Sequence, residues 1–152
     1  MATTKAKTRK AEHADLDAIA PLFDAYRQFY EKPPDLALAR HFLDERFQRN
    51  ESVIFVAEDA DGKIVGFTQL YPAYCSVAAD RIYVLYDLFV TPAARGTGAG
   101  RALMETAEDF AKKAGAVRLQ LQTATTNIVG QTLYESRGWL RDNAFYVYEK
   151  AL

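Results

Sequence analysis

Cysteine and histidine are almost missing from this chain: one cysteine, Cys75, and two histidines, His13 and His41, stand among 152 residues. A single thiol cannot close an internal disulfide, and no cluster of histidine, cysteine and carboxylate falls at ligand spacing, so neither a disulfide scaffold nor a metal centre is expected. Cys75 has no partnered histidine in a recognisable arrangement, which leaves a thiol nucleophile unsupported, and His13 and His41 read as surface or structural residues. An excess of one charge is also lacking, with 19 lysines and arginines against 20 aspartates and glutamates. Without a positive field, nucleic acid is not an expected partner. No apolar run approaches the roughly 20 residues that cross a bilayer, so no membrane association is expected. The segment from Met1 to Asp15 is positively charged but has no apolar stretch behind it, unlike a secretory signal, and a cytoplasmic chain is the expectation. Repeats and low-complexity tracts are absent, and 152 residues that are 49% hydrophobic suit one domain spanning 1–152.

What is present centres on Ile82 to Ala114. Ile82 to Val90 is a nearly unbroken run of β-branched, aromatic and leucine residues, as in a strand covered on both faces, and Asp87 is its only charge. Thr91 and Pro92 break the strand, and Gly96, Thr97, Gly98, Ala99 and Gly100 leave a backbone with little side-chain cover. That backbone leads into a helix with the apolar face Leu103, Ala107, Phe110, Ala111 and Ala114. Unpaired amides and the positive end of the helix dipole suit such a helix start to a phosphate or pyrophosphate. A dinucleotide fingerprint would want glycine or alanine where Arg101 stands, and a Walker loop would end in Gly-Lys-Ser/Thr, so neither nucleotide motif fits.

Arg95-x-x-Gly98-x-Gly100, following Asp87-Leu88-Phe89-Val90, resembles the acyl-CoA binding signature of the GCN5-related N-acetyltransferases (GNAT). Downstream, Asn127 and then Leu133-Tyr134-Glu135-Ser136-Arg137-Gly138-Trp139 resemble a second segment of that family in order and spacing, with Gly130 standing where alanine is common. The stretch Tyr26-Arg27-Gln28-Phe29-Tyr30 together with Tyr86-Asp87-Leu88-Phe89-Val90 looks closest to the branch that contains a yeast histone acetyltransferase and the diamine acetyltransferases.

The resemblance implies an α/β (α+β) fold, with a mixed, mostly antiparallel central sheet of six to seven strands and about four helices. The sequence can be divided accordingly. Lys5 to Lys10 is a short first strand. From Asp15, apolar residues at helical spacing run through Phe23 and Tyr26 to Tyr30, with Pro21 predicting a kink or a late start. Pro33 and Pro34 end this helix, and Asp35 caps a second one through Phe47. Val53 to Glu58 and Lys63 to Tyr71 are strands joined by an Asp61-Gly62 turn. Pro72 to Arg81, with Tyr74 and Cys75, reads as a connection able to hang over an active site. Val117 to Thr123 is a fifth strand, Ile128 to Ser136 a short helix, and Asn143 to Lys150 a final aromatic strand whose exposed edge or face is consistent with a homodimer.

The chemistry implied is attack of a primary amine on the thioester of acetyl-CoA, with a small-molecule amine or a lysine-containing peptide as acceptor and no metal. Pyrophosphate binding falls to the amides of Gly96, Thr97, Gly98, Ala99, Gly100 and Arg101 and to the Arg95 and Arg101 guanidinium groups. The pantetheine arm falls to the backbone of Leu88, Phe89 and Val90, and Asn127 and Tyr134 are further cofactor contacts. Asp87 either binds the ammonium and takes its proton or is a structural aspartate, and Tyr134 protonates the departing thiolate. Asn127 has a helix cap as its other reading. Tyr26 and Tyr30 either pack the core or line the acceptor cleft, near which Glu31, Asp35, Asp44 and Glu45 would favour a cation. A fold kept for acyl-CoA binding or sensing alone, with the chemistry lost, is the alternative; the retention of Asn127 and Tyr134 speaks against it.

Overall fold

The computed structural model of the chain describes residues 6–152, in the order β1 (Lys7–Lys10), α1 (Leu16–Phe29), α2 (Leu36–Arg49), β2 (Val53–Glu58), β3 (Ile64–Cys75), β4 (Asp80–Val90), α3 (Ala99–Lys113), β5 (Leu119–Gln120) and α4 (Ile128–Ser136). Lys5, expected at the start of the first strand, lies outside the described residues. The chain divides into two compact units, one through Leu121 and the other Gln122–Leu152.

In the first unit the strands lie side by side in the order β1-β2-β3-β4-β5, antiparallel except for the parallel β4–β5 pair. The two faces of this sheet are covered by different helices. Phe23 of α1 meets Phe67 of β3 edge to face on one side. Phe110 of α3 meets Phe55 and Tyr83 on the other. β4 touches both α1 and α3, so its apolar run is covered twice, as the absence of polar alternation requires. Ile19, Leu43, Val56 and Phe67 are fully buried in the core under α1 and α2, a burial of about 2 kcal/mol for each large side chain.

Asp35 caps α2 as expected, its Oδ1 accepting from the Leu38 amide at 3.0 Å. α1 begins at Leu16 and contains Pro21, so it does not start late. Asp15 precedes it but makes no side-chain cap; instead its carboxylate takes both Nη1 and Nη2 of Arg9, at 2.8 and 2.9 Å.

The structure corrects the sequence reading in three places. Pro72 to Arg81 is not a hanging connection: β3 continues to Cys75 and β4 begins at Asp80, Tyr74 pairs with Arg81, and only Ser76 to Ala79 turn. Pro72 is tolerated because β2 stops opposite Leu70, so past that point β3 has no β2 ladder for the missing N–H to break. Among the described residues the sheet has five strands rather than six or seven. Within Val117 to Thr123 only Leu119 and Gln120 pair, with Tyr83 and Val84, and Asn143 to Lys150 forms no strand. A strand exists only through a hydrogen-bonded neighbour, and the aromatic propensity of Phe145, Tyr146 and Tyr148 does not supply one; all three side chains are exposed.

In the second unit Asn127 is the N-cap of α4. Its Oδ1 accepts from the Gly130 amide at 3.2 Å while its Nδ2 donates to Thr123 Oγ1 at 2.9 Å. A Cβ added at residue 130 would fall 2.5 Å from Asn127 Nδ2, which accounts for glycine there.

Candidate functional site

β4 and β3 run in regular antiparallel register from Asp80 to Leu85, opposite Cys75 to Leu70. The pairing then skips a residue, so that Asp87 rather than Tyr86 faces Gln69. Tyr86 is the extra residue of a bulge. Its effect on direction is large. Cross-strand partners share a face and successive residues alternate, so Leu85 lies with Leu70 on the α3 face, and Asp87 lies with Gln69 on the α1 face. A continuous ladder would have put both on one side.

The Asp87 side chain is 4% exposed. Gln69, fully buried, donates from Nε2 to Asp87 Oδ2 and accepts at Oε1 from Ser52 Oγ at 2.7 Å, an arrangement that fixes the orientation of the amide. The Tyr26 hydroxyl donates to the Tyr86 carbonyl at 2.9 Å and also bonds the Asp87 carboxyl. Burial pushes the Asp87 carboxyl up from 3.8 to about 6, against the opposing hydrogen bonds from Gln69 and Tyr26. No arginine is among the groups that shift it.

Asp87 opens onto a cavity of about 430 Å³ lined by Phe23, Tyr26, Arg27, Phe42, Tyr71 and Tyr86, within the range of about 300–1,000 Å³ typical of small-molecule sites. Burial, reinforced by the nearby Asp87 charge, also raises the Tyr71 hydroxyl, which therefore stays protonated at neutral pH. Of the expected substrate residues, Tyr26 lines this cavity. Tyr30 does not, although its ring meets Tyr26 edge to face at 5.2 Å. The acidic residues expected near the cleft are largely engaged elsewhere: Asp35 caps α2, Asp44 binds His13 Nε2 at 2.6 Å, and Glu45 binds Arg46 and His41.

Beyond the bulge, β4 has β3 on one side only, since β5 pairs no further than Val84. The Thr91 amide donates to Val65 of β3, so by alternation the main-chain groups of Leu88 and Val90 point to the other side. Arg95 Nε reaches the Val90 carbonyl from there at 3.0 Å. Gly96 and Gly98 follow with φ of 77° and 88°, a left-handed region costly to other residues, and Gly98 caps α3 with no side-chain hydrogen bond to the first amides of the helix. Arg101 sits 3.6 Å from Glu105 one turn along. Tyr134 lies on α4 with its ring 6.3 Å from that of Trp139.

Sequence reasoning passed over Ser52 and Gln69, whose alignment with Asp87 depends on strand register, and Arg27, Phe23, Phe42 and Tyr71, whose convergence depends on how α1 and α2 cross the sheet. Asp87 signalled the site as the one charge in an apolar strand, and Tyr26 as an aromatic residue of the first helix.

Comparison with known proteins identifies the family. The acetyltransferase (GNAT) family model matches residues 17–139. The chain is 48% identical over 140 residues to the uncharacterized N-acetyltransferase YhfO of Bacillus subtilis, covering 92% of this chain and 93% of that protein. It is 32% identical over 146 residues to a probable acetyltransferase of Haemophilus influenzae, covering 96% and 98%. The crystal structure of a probable acetyltransferase superposes with a TM-score of 0.90 at 35% identity, covering 96% of this chain and 97% of that one. With more than half of the chain under the family model and relatives of this identity along nearly its full length, the protein is a member of the GNAT family of acetyltransferases.

Proposed function

We propose that the protein transfers the acetyl group of acetyl-CoA to a primary amine by direct attack. The observation that carries this reading is a desolvated carboxyl, titrating near 6, at the wall of a small-molecule cavity in a chain of this family. An alkylammonium with a pKa near 10.4 is neutral in about one molecule per thousand at neutral pH, so reaching the attacking form without help costs about 4 kcal/mol. Asp87 binds the ammonium, and its raised pKa narrows the gap to the amine by about two units, which makes it a better proton acceptor than an ordinary aspartate. The freed lone pair attacks the thioester carbonyl carbon, the C–S bond breaks as the N–C bond forms, and the proton leaves through Asp87 to solvent.

Acetyl-CoA supplies the activated acyl group. The Arg95 to Arg101 turn and the start of α3 fit its pyrophosphate, through amides that no side chain caps. The main-chain groups of Leu88 and the amide of Val90, on the side of β4 away from β3, fit an extended, amide-rich arm lying beside β4 like an added strand, with the Val90 carbonyl held by Arg95. Tyr134, by its place in the family segment, protonates the departing thiolate. Asn127 is committed to capping α4, so its contribution to the cofactor is through holding that helix start. Thiol release from acetyl-CoA against a panel of primary amines tests the reading. Release that depends on an amine and collapses in Tyr134→Phe supports it; acetyl-CoA binding with no release for any amine would overturn it.

A further inference from the structure

The cavity at Asp87 holds a second charged group that the acetyl-transfer reading leaves unused. Arg27 lies on α1 next to Tyr26, and its Nη1 is buried with no hydrogen-bond partner among the described residues. A charged N–H hidden from water without an acceptor costs about 1–3 kcal/mol or more, so such a group calls for an occupant. The acids within reach by sequence do not supply one. Asp24, three residues back on α1, accepts from the Asp35 amide at 2.9 Å and from Gln28 Nε2 at 3.3 Å. Asp87 is moved by its burial, by Gln69 and by Tyr26, and Arg27 is not among the groups acting on it. The two charges therefore stand apart in one cavity instead of neutralising each other, and the surfaces beside them are the rings of Phe23, Phe42, Tyr71 and Tyr86.

We propose that the acetyl acceptor is a zwitterion: a primary amine held at Asp87 that also carries a carboxylate, phosphonate or phosphate docked on Arg27, with a short apolar or aromatic linker against the rings. This rests on the amine-acetyltransferase reading and narrows it. A guanidinium offers the planar pair of donors that such anions accept, and the same group repels a second ammonium, so diamines and polyamines are poor fits. The product keeps its anion and exchanges the ammonium for a neutral amide, which removes the attraction to Asp87 and favours release.

Two matched pairs test this on the full-length protein: 3-aminopropylphosphonate against propylamine, and tyrosine against tyramine. Thiol release is measured with acetyl-CoA, and acceptor binding is measured by calorimetry without it. The acid-bearing member of at least one pair is expected to exceed its simple partner by about tenfold or more in kcat/KM or in affinity. Arg27→Gln is expected to lower that member at least about tenfold more than its partner, and Arg27→Lys to keep part of the preference. Equal use of both members, preference for spermidine, or an Arg27→Gln loss that is the same for both members overturns the proposal. Acetylation of simple amines or spermidine would do so while leaving acetyl transfer standing. Binding of the acid-bearing amine that depends on Arg27, without turnover, would support the proposal and count against the enzymatic reading alone.

Discussion

Asp87→Asn separates what the carboxylate contributes to chemistry from what its burial costs the fold. The asparagine keeps an oxygen for Gln69 Nε2, so the Ser52–Gln69 arrangement survives and the change is mainly one of charge. In the folded protein Asp87 titrates near 6 instead of 3.8, so the native state binds this proton more tightly than the unfolded chain does. For an acid shifted upward, stability is highest below the unfolded value and is lost as pH rises through the folded one. Wild type therefore loses stability between about pH 4 and pH 6, and at neutral pH it carries a penalty of about 3 kcal/mol, two units at roughly 1.4 kcal/mol each. Asparagine carries none. The variant should gain on wild type across that window by an amount corresponding to roughly 6–12 °C in melting temperature for a domain of this size, read from melting curves at a series of pH values. Its acetyl transfer should meanwhile fall about 10²- to 10⁴-fold, and the wild-type rise of kcat/KM through pH about 6 should disappear. A stability difference that stays constant with pH would refute the buried, raised carboxyl. An unaltered rate profile would remove Asp87 from the proton path.

Tyr134→Phe should lower turnover about ten- to a thousandfold with little effect on the calorimetric affinity for CoA, as loss of one acid-base group does; wild-type turnover would end its role as the acid. Gln69→Leu removes a donor that holds Asp87 down, so the acidic limb of the rate profile should move up by about one unit, and a downward move would contradict the hydrogen bond. Gly98→Ala meets no neighbouring atom but must hold φ at 88°, so it should cost about 1–2 kcal/mol of stability and weaken CoA binding; unchanged melting would show that the turn can relax.

The stretch from β4 to α3 was legible because several signals coincide there: an apolar run too continuous for a one-sided strand, glycines where φ turns positive, and a periodic helix behind them. Pro72 misled because proline reads as a strand break, whereas here it stands where β2 has already ended. The aromatic C-terminal run misled in the opposite sense, since residue preference marks a strand that only a neighbour can complete. Ser52 and Gln69 were silent because polar residues in strands become a chain of hydrogen bonds only once the register of β2, β3 and β4 is known. Arg27 was silent because an arginine on an amphipathic helix ordinarily marks the solvent side, and only the cavity beside it gives its buried nitrogen a meaning.

The bulge at Tyr86 means that the site depends on pairing as well as on identities. If the β3–β4 ladder ran on without skipping a residue, Tyr86 would stand opposite Gln69, and every side chain from Asp87 to Val90 would exchange faces. The carboxylate would turn towards α3, and Leu88 would come to the α1 face. Deleting Tyr86 has a different effect: Asp87 would follow Leu85 directly and stay opposite Gln69, but the carbonyl that accepts from Tyr26 and one ring of the cavity wall would be lost. In a related chain of the same length, then, the aspartate reaches the cavity only where the ladder skips the residue before it.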